Sequence, residues 1–415
     1  MKSKEEKGIT LIALVVTIIV LIILAGVSIN LIFGNLGIVT KAKEAKRMQE
    51  QAELNEQIAL GELSNEIGKT LGSNSTTGKP TDKPEEIKKL EELKKSGTYT
   101  TAPTTIKDSN GNLIKVPQGF KVAEDSGINV TEGIVIEDND IIEGIGNNRG
   151  NQYVWVPVGK NIKKSDGSTI DITLGRYVFD SDGSTRLKQD ANNYLQKVEI
   201  WTNYVEIVTS REGVANEGKD GTNTTALNLK KFLDSVKENG GYYIARYEAS
   251  YGTDEKANSK VSNRFLTSND SSLEKTEGTL WNYIKQIDAA KASRNIYSDV
   301  TTDLINSYAW DTALIYIQKF SGDTKYTWKN GKSINSSLTN TGVNKDEKCK
   351  INDMASNLLE WSTEYCNIGN EASGYYPCTY RGGAYGDDNI YSSDRHSNHS
   401  TVANYYYTFR TILYN

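Results

Sequence analysis

The chain has 415 residues, a formal net charge of -5 and a pI near 5.5. That length exceeds one average domain and predicts an anchor, a connector and one large or two smaller globular units. Lys and Arg are interleaved with Asp and Glu, so there is no basic field for a phosphate backbone and no nucleic-acid partner is expected. Three cysteines (Cys349, Cys366, Cys378) without CxxC spacing exclude a disulfide scaffold and a thiolate metal knuckle. If one pair closes, Cys366 with Cys378 is the candidate, leaving Cys349 buried.

At the amino end, residues 9–33 are apolar except for Thr10, Thr17, Ser28 and Asn30 and carry no charge, a length that suits one bilayer crossing. The run continues into the helix-forming, basic stretch 41–47 rather than into a small-residue cleavage site, so it is not a secretory signal. Lys2, Lys4 and Lys7 on one flank nearly balance Lys41, Lys43, Lys46 and Arg47 on the other, and charge alone does not orient the span. Residues 37–68 are rich in helix formers, and Met48, Leu54, Ile58, Leu60 and Leu63 recur at spacings near three to four, which predicts a stalk helix. Residues 71–105 hold half of the prolines and a charged run at 85–95, and are predicted to be a flexible linker with a short solvated helix.

The string Lys7, Gly8, Ile9, Thr10, Leu11, Ile12 resembles the class III leader of type IV prepilins and pseudopilins. The resemblance implies a leader at 1–8, cleavage between Gly8 and Ile9 by a prepilin peptidase, a transmembrane and stalk helix over 9–70 with the amino end inside, and other pilin subunits as partners. The family usually has Glu five residues into the mature chain, and here that residue is Ala13. A tip or minor position, another pairing, or no assembly at all would each account for it. A plain single-pass anchor is the alternative.

From residue 106 onward, short segments broken by Gly, Asn and Asp predict strands at 152–158 and 240–250 and helices at 227–238 and 307–320. The mixture predicts an irregular α+β domain over 106–415. No GxGxxG, Walker, HExxH or GxSxG string is present.

Several strings resemble the formylglycine-generating, sulfatase-modifying family, whose fold is of the C-type lectin group. Tyr247 and Glu248 end a strand like the family's Tyr-Glu pair, and Trp310 with Asp311 matches its Trp-Asp step. Residues 354–361, ending in Glu360 and Trp361, resemble the "GNVWEW" signature. Residues 380–385, containing Arg381, Gly382 and Gly383, resemble "RGGSW", and residues 408–410 stand where "GFR" closes the fold. The resemblance implies Trp361, Phe409 and Ile412 in the core and Arg381 as a structural cation. Catalytic members place copper-binding cysteines just after "RGGSW", but residues 386–396 contain none, so no catalytic metal is expected. His396 and His399 lie three apart in a polar loop without an obvious third ligand. The family also binds structural calcium, which implies Asn357 and Glu360 as candidate ligands; a turn role for Asn357 and pairing of Glu360 with Arg381 are the alternatives.

The last forty-four residues, 372–415, contain no Lys, Glu, Gln, Met or Trp. Codons ending in a pyrimidine cannot encode those five, so Asn codons randomised at their adenines would leave this trace. The segment resembles the variable region of proteins diversified by retroelements, several of which use a lectin-type fold. Its candidate ligand-binding residues are Tyr385, Asp387, Asp388, Asn389, Tyr391, Ser393, Asp394, Arg395, His396, Asn398, His399, Asn404, Tyr405, Tyr406 and Tyr407. Tyr supplies rigid amphipathic contact area, and the short polar side chains supply adaptable hydrogen bonds. A disordered loop would be poorer in aromatics. The expectation is a surface protein, membrane-anchored with its carboxyl domain outside or assembled in a pilus, that binds an external protein, glycan or phage-surface ligand. A membrane-anchored enzyme of the sulfatase-modifying family and a structural minor pilin are the alternatives.

Overall fold

A six-residue strand buried at every position, Gln152–Pro157, runs through the middle of the larger of two main sheets. The computed structural model describes residues 88–194, 204–206, 229–270, 272–294, 296–366, 369–370, 374–375 and 377–415. The chain divides into units over 1–84 and 85–415. The leader with Gly8 and Ile9, the apolar run and the stalk lie outside the described residues. Among the described residues no helix is long and apolar enough to cross a membrane.

Helix α1 (Leu90–Ser96) follows the strand Lys88–Lys89 and lies where a short helix is expected, but it is packed and not solvated. Leu90 and Leu93, spaced by one turn, are both buried, and Lys94 Nζ donates to Ser126 O at 2.5 Å. Lys88–Lys89 pairs in parallel with Ile106 and Lys107. Residues 88–105 therefore belong to the globular unit, because two leucines on one helical face outweigh the surrounding charge.

The large sheet takes β1 (Lys121–Val122), β2 (Val135–Glu137) and β3 (Gln152–Pro157) from the first third of the domain. The strand β4 (Tyr204–Val205) goes to the second sheet. Helix α2 (Leu229–Asn239) leads into β5 (Gly241–Ala245), which pairs antiparallel with β3, placing Tyr243 opposite Trp155. Phe232 of α2 packs edge-on against Tyr242 and Tyr414, at 5.3 and 5.2 Å between ring centres, and closes one face. Helix α3 (Gln286–Ser293) precedes β6 (Thr301–Leu304), an edge of the same sheet.

Helix α4 (Ser307–Phe320) begins at Asn306, whose side chain accepts from Ala309 N at 2.9 Å. Every residue of α4 except Lys319 is buried, so the helix lies within the core instead of capping it. Strand β7 (Leu359–Cys366) then founds the second sheet with β8 (Cys378–Arg381) and β9 (Arg395–Asn398). The chain ends in β10 (Tyr407–Phe409), parallel to β7, and β11 (Thr411–Tyr414), between β5 and β6. Crossing between sheets at Arg410, the last residues lock both together. The architecture is sheet-rich α+β.

No disulfide joins Cys366 to Cys378. Cys378 stands opposite Tyr365, so Cys366 falls on the other face of the strand and the proposed pair points apart. Cys349 is buried, and burial pushes its thiol up to about 12.

Candidate functional site

The strings that carry the family resemblance pair with one another. Arg410 forks onto Glu360, with Nε 2.6 Å from Oε2 and Nη2 2.5 Å from Oε1, and also donates to Ala245 O and Asn352 O. Glu248 accepts from Asn357 Nδ2 at 2.5 Å and Leu358 N at 2.9 Å. Arg381 Nη2 lies 2.6 Å from Asp311 Oδ1. All of these side chains are buried. Glycines in the "RGGSW"-like string allow the approach: a Cβ on Gly383 would lie 2.1 Å from Ala355 O, and Gly382 has φ +87°.

Two buried charge clusters result. Under β9, Arg395 pairs with Asp311 and, at 3.1 Å, with Glu364, which also binds Arg176. Burial alone would raise the carboxyls of Asp311 and Glu364; Arg395 and Arg381 for the first, and these with Arg176 for the second, hold both below their ordinary values. Around Arg410 the balance is reversed. Glu248, Asp346, Asp353 and Glu360 share that guanidinium, and burial pushes Asp353 up to about 7 and Glu248 well above its usual range.

Asn357, with φ 63°, is a left-handed turn residue whose Oδ1 accepts from Thr339 N and Oγ1. Glu360 stands opposite Arg381 in the strand register, but its carboxylate partner is Arg410. Both Glu360 oxygens and the Asn357 oxygen are thus already coordinated, and these residues as placed do not fit a calcium ion. Among the described residues no group of three Asp, Glu, His or Cys is placed to hold a metal. Chelation with EDTA, or excess calcium, is expected to move the thermal midpoint by less than about one degree, since stabilisation needs a ligand that binds the native state. A rise of several degrees with calcium would show that Arg410 yields its place.

Above the Arg395 cluster, the carboxyl-terminal segment sorts into displayed and anchored residues. Asp388 and Asn389 are exposed, Tyr406 is 36% exposed, and Tyr385, Asp387, Tyr391, Asn398, His399, Asn404 and Tyr405 are half-buried. His396 lies flat on Tyr380 at 5.6 Å, and Asp394 accepts from Tyr391 N. Three candidates have buried side chains. Arg395 has 6% side-chain exposure and is consumed by Asp311 and Glu364. Ser393 is buried, with its N–H on Thr327 O and its carbonyl accepting from Arg381. Tyr407 is buried and stacks on Trp361 at 4.5 Å.

Two loops make the displayed face. Residues 385–391 are held by Trp328, 4.6 Å from the Tyr391 ring, and by Lys332, whose ammonium is 2.6 Å from Asp388. Residues 399–406 are held by Asn282, which donates to Tyr405 O, and by Tyr283, whose N–H donates to Asn404 O. The loops meet where Tyr385 stacks on Tyr406 at 5.5 Å; Tyr405 lies 4.2 Å from Tyr406 and 6.3 Å from Tyr283. Tyr283 adopts φ 53°, an uncommon conformation for a bulky residue. Trp328, Lys332 and Tyr283 lie outside the segment that the composition marks, and no local signal in the sequence ties them to it.

No family model matches the chain, and no curated protein matches it. Among solved structures, the Major Tropism Determinant M1 and U1 variants are each similar at 11% identity and TM-score 0.31, over 75% of this chain and 81% of theirs. The structure of CarF is similar at 14% identity and TM-score 0.28, over 51% of this chain and 97% of that one. At such scores the likeness carries no argument about fold or function.

Proposed function

We propose that the face formed by 385–391 and 396–406 is a recognition surface for an external protein, glycan or phage-surface ligand, bound without a catalytic step. The observation that carries this is the division of one continuous segment. Tyr405, Tyr406, Tyr385, Asn389 and Asp388 project outward, while Arg395, Ser393 and Tyr407 tie the backbone to a buried frame. Rigid support under a Tyr-rich, short-side-chain face is the arrangement that gives contact area at low entropy cost. The buried acids are held by protein donors, and the segment after Tyr385 offers no cysteine, so neither supports an oxidase. We further propose display at the cell surface through 9–33, on the strength of the leader-like string, with a prepilin peptidase and pilin subunits as partners. A lectin-type frame is supported by the mutual pairing of the family-like strings.

Deep sequencing of the locus across a growing population tests the reading. Codon changes are expected to cluster at 385–391 and 396–406 and to spare 393, 395 and 407. A uniform locus would remove the diversified-surface reading. Binding itself is tested with Tyr405→Ser combined with Tyr406→Ser on arrays of glycans and surface proteins. Loss of roughly tenfold or more in affinity with an unchanged fold is expected. Deleting 386–408 is a poor test, because it also removes Arg395 from its cluster.

A further inference from the structure

Far from that face in sequence, the segment after β5 carries a lysine, Lys260, that packs against the loop between β2 and β3 and has no role in the recognition surface. The Lys260 side chain has 0% exposure. Its stem is clamped by Gly146, where a Cβ would meet Lys260 Cβ, Cγ and Cδ at 2.8–3.2 Å. Its ammonium donates to the Asp140 carbonyl and lies 3.4 Å from Asp140 Oδ2. Asn151 Nδ2 reaches the same Asp140 oxygen at 3.3 Å. Beside them is Asp138, which accepts from Asp140 N, Asn151 N and Nδ2, and the Tyr297 hydroxyl at 2.6–3.0 Å. Lysines are almost never fully buried, and this one is held against a single carboxyl with a second, buried carboxyl in the same hydrogen-bonded cluster.

We propose that Lys260 and Asp140 condense to an intramolecular isopeptide bond, with Asp138 as a positioning residue, so that the 138–151 loop is covalently tied to the segment after β5. The pair starts as ammonium and carboxylate. A proton passes from Nζ to the Asp140 carboxylate, leaving a neutral amine and a neutral carboxylic acid. The Nζ lone pair attacks Cγ, and an Nζ proton passes to the departing hydroxyl of the Asp140 carboxyl. The Cγ–Nζ bond forms, the Cγ–OH bond breaks and one water leaves, with no oxidant or reductant. Asp138 fixes the Asp140 backbone beside the ammonium, by accepting from Asp140 N and from Asn151 N and Nδ2. Holding amine and carboxyl at near-contact distance supplies the effective concentration that the reaction lacks in solution. Lys260 also lines a cavity of about 120 Å³ with Arg149, Gln152 and Tyr247, which can take up the released water.

Peptide mapping of the full chain by mass spectrometry decides this. Trypsin does not cut at an acylated lysine, so a branched peptide joining Asp140 to Lys260, lighter by one water than its two parts, is expected. It should be absent from Lys260→Arg and form at least tenfold more slowly in Asp138→Asn. Recovery of separate linear peptides with a free Lys260 amine and a free Asp140 carboxyl from the folded wild-type chain would overturn the proposal, as would a branch at any other residue. The wild-type map is decisive even where a variant fails to fold.

Discussion

Replacing Arg410 by methionine is expected to lower the stability of the 85–415 unit by about 3–5 kcal/mol, because it leaves buried carboxylates without their cation. That is a large fraction of the roughly 5–15 kcal/mol that separates folded from unfolded domains. Arg410 serves four acceptors at once: both Glu360 oxygens and the carbonyls of Ala245 and Asn352. It also sits between β10 and β11, so the strands of both sheets lose their common tie. Arg410→Lys keeps the charge but not the planar fork and should fall between wild type and Arg410→Met. Removing Glu360 as well, as Glu360→Met with Arg410→Met, should recover part of the loss, since an apolar pair leaves no stranded charge. Urea midpoints at constant pH check the series, and an unchanged midpoint for Arg410→Met would sink the assignment.

The second large effect is on pH dependence. Asp353 has an ordinary value of 3.8 and is pushed to about 7 by burial, with Gly342 N and the Thr341 hydroxyl opposing and Asp346 adding to the rise. A raised carboxyl means that the folded state holds a proton that the unfolded chain gives up. Its contribution is therefore full below pH 3.8 and is lost as pH climbs to about 7, a change of about 4 kcal/mol. Glu206, raised by burial and Glu364 to about 7, acts in the same direction, as does Glu248. Asp311 and Glu364 act oppositely: their depressed carboxyls stabilise above ordinary carboxylate values and lose that stabilisation as pH falls. Stability should peak in mild acid, and the urea midpoint at pH 5 should exceed that at pH 8. Asp353→Asn, which keeps an acceptor for Thr341 and Gly342 without a charge, should flatten the difference. Equal wild-type midpoints at the two values would count against a protonated Asp353.

Helix α4 was readable from its residues because an Asn cap precedes an unbroken helix-forming run, and the strands at 152–157 and 241–245 because apolar and aromatic residues crowd between turn formers. Partnership among charges was not readable. Glu360 and Arg381 share a register position, but their partners come from residues 50 and 70 positions away, which only the tertiary fold brings near. The run Tyr405, Tyr406, Tyr407 shows the same limit. Three identical residues divide into two displayed rings and one core ring, because β10 begins at Tyr407 and turns its side chain onto Trp361. Composition marked the segment as recognition-like; burial alone separates those two roles. For α1, the spacing of Leu90 and Leu93 was the available signal, and the surrounding lysines and glutamates masked it.

The burial of Arg395 within an otherwise displayed stretch has a consequence at the level of the gene. Among codons ending in a pyrimidine, arginine is encoded only by CGY, which contains no adenine. An adenine-directed mutator would pass over a template that reads CGY at 395, and TCY at 393, while rewriting every AAY around them. Tyr407 has no such shelter, since both tyrosine codons contain adenine, so its protection would have to come from the template's boundary or from loss of the variants that fail to fold. The nucleotides beneath 393, 395 and 407 would then record the mechanical constraints of the protein, and a designed library on this scaffold should hold those three positions constant.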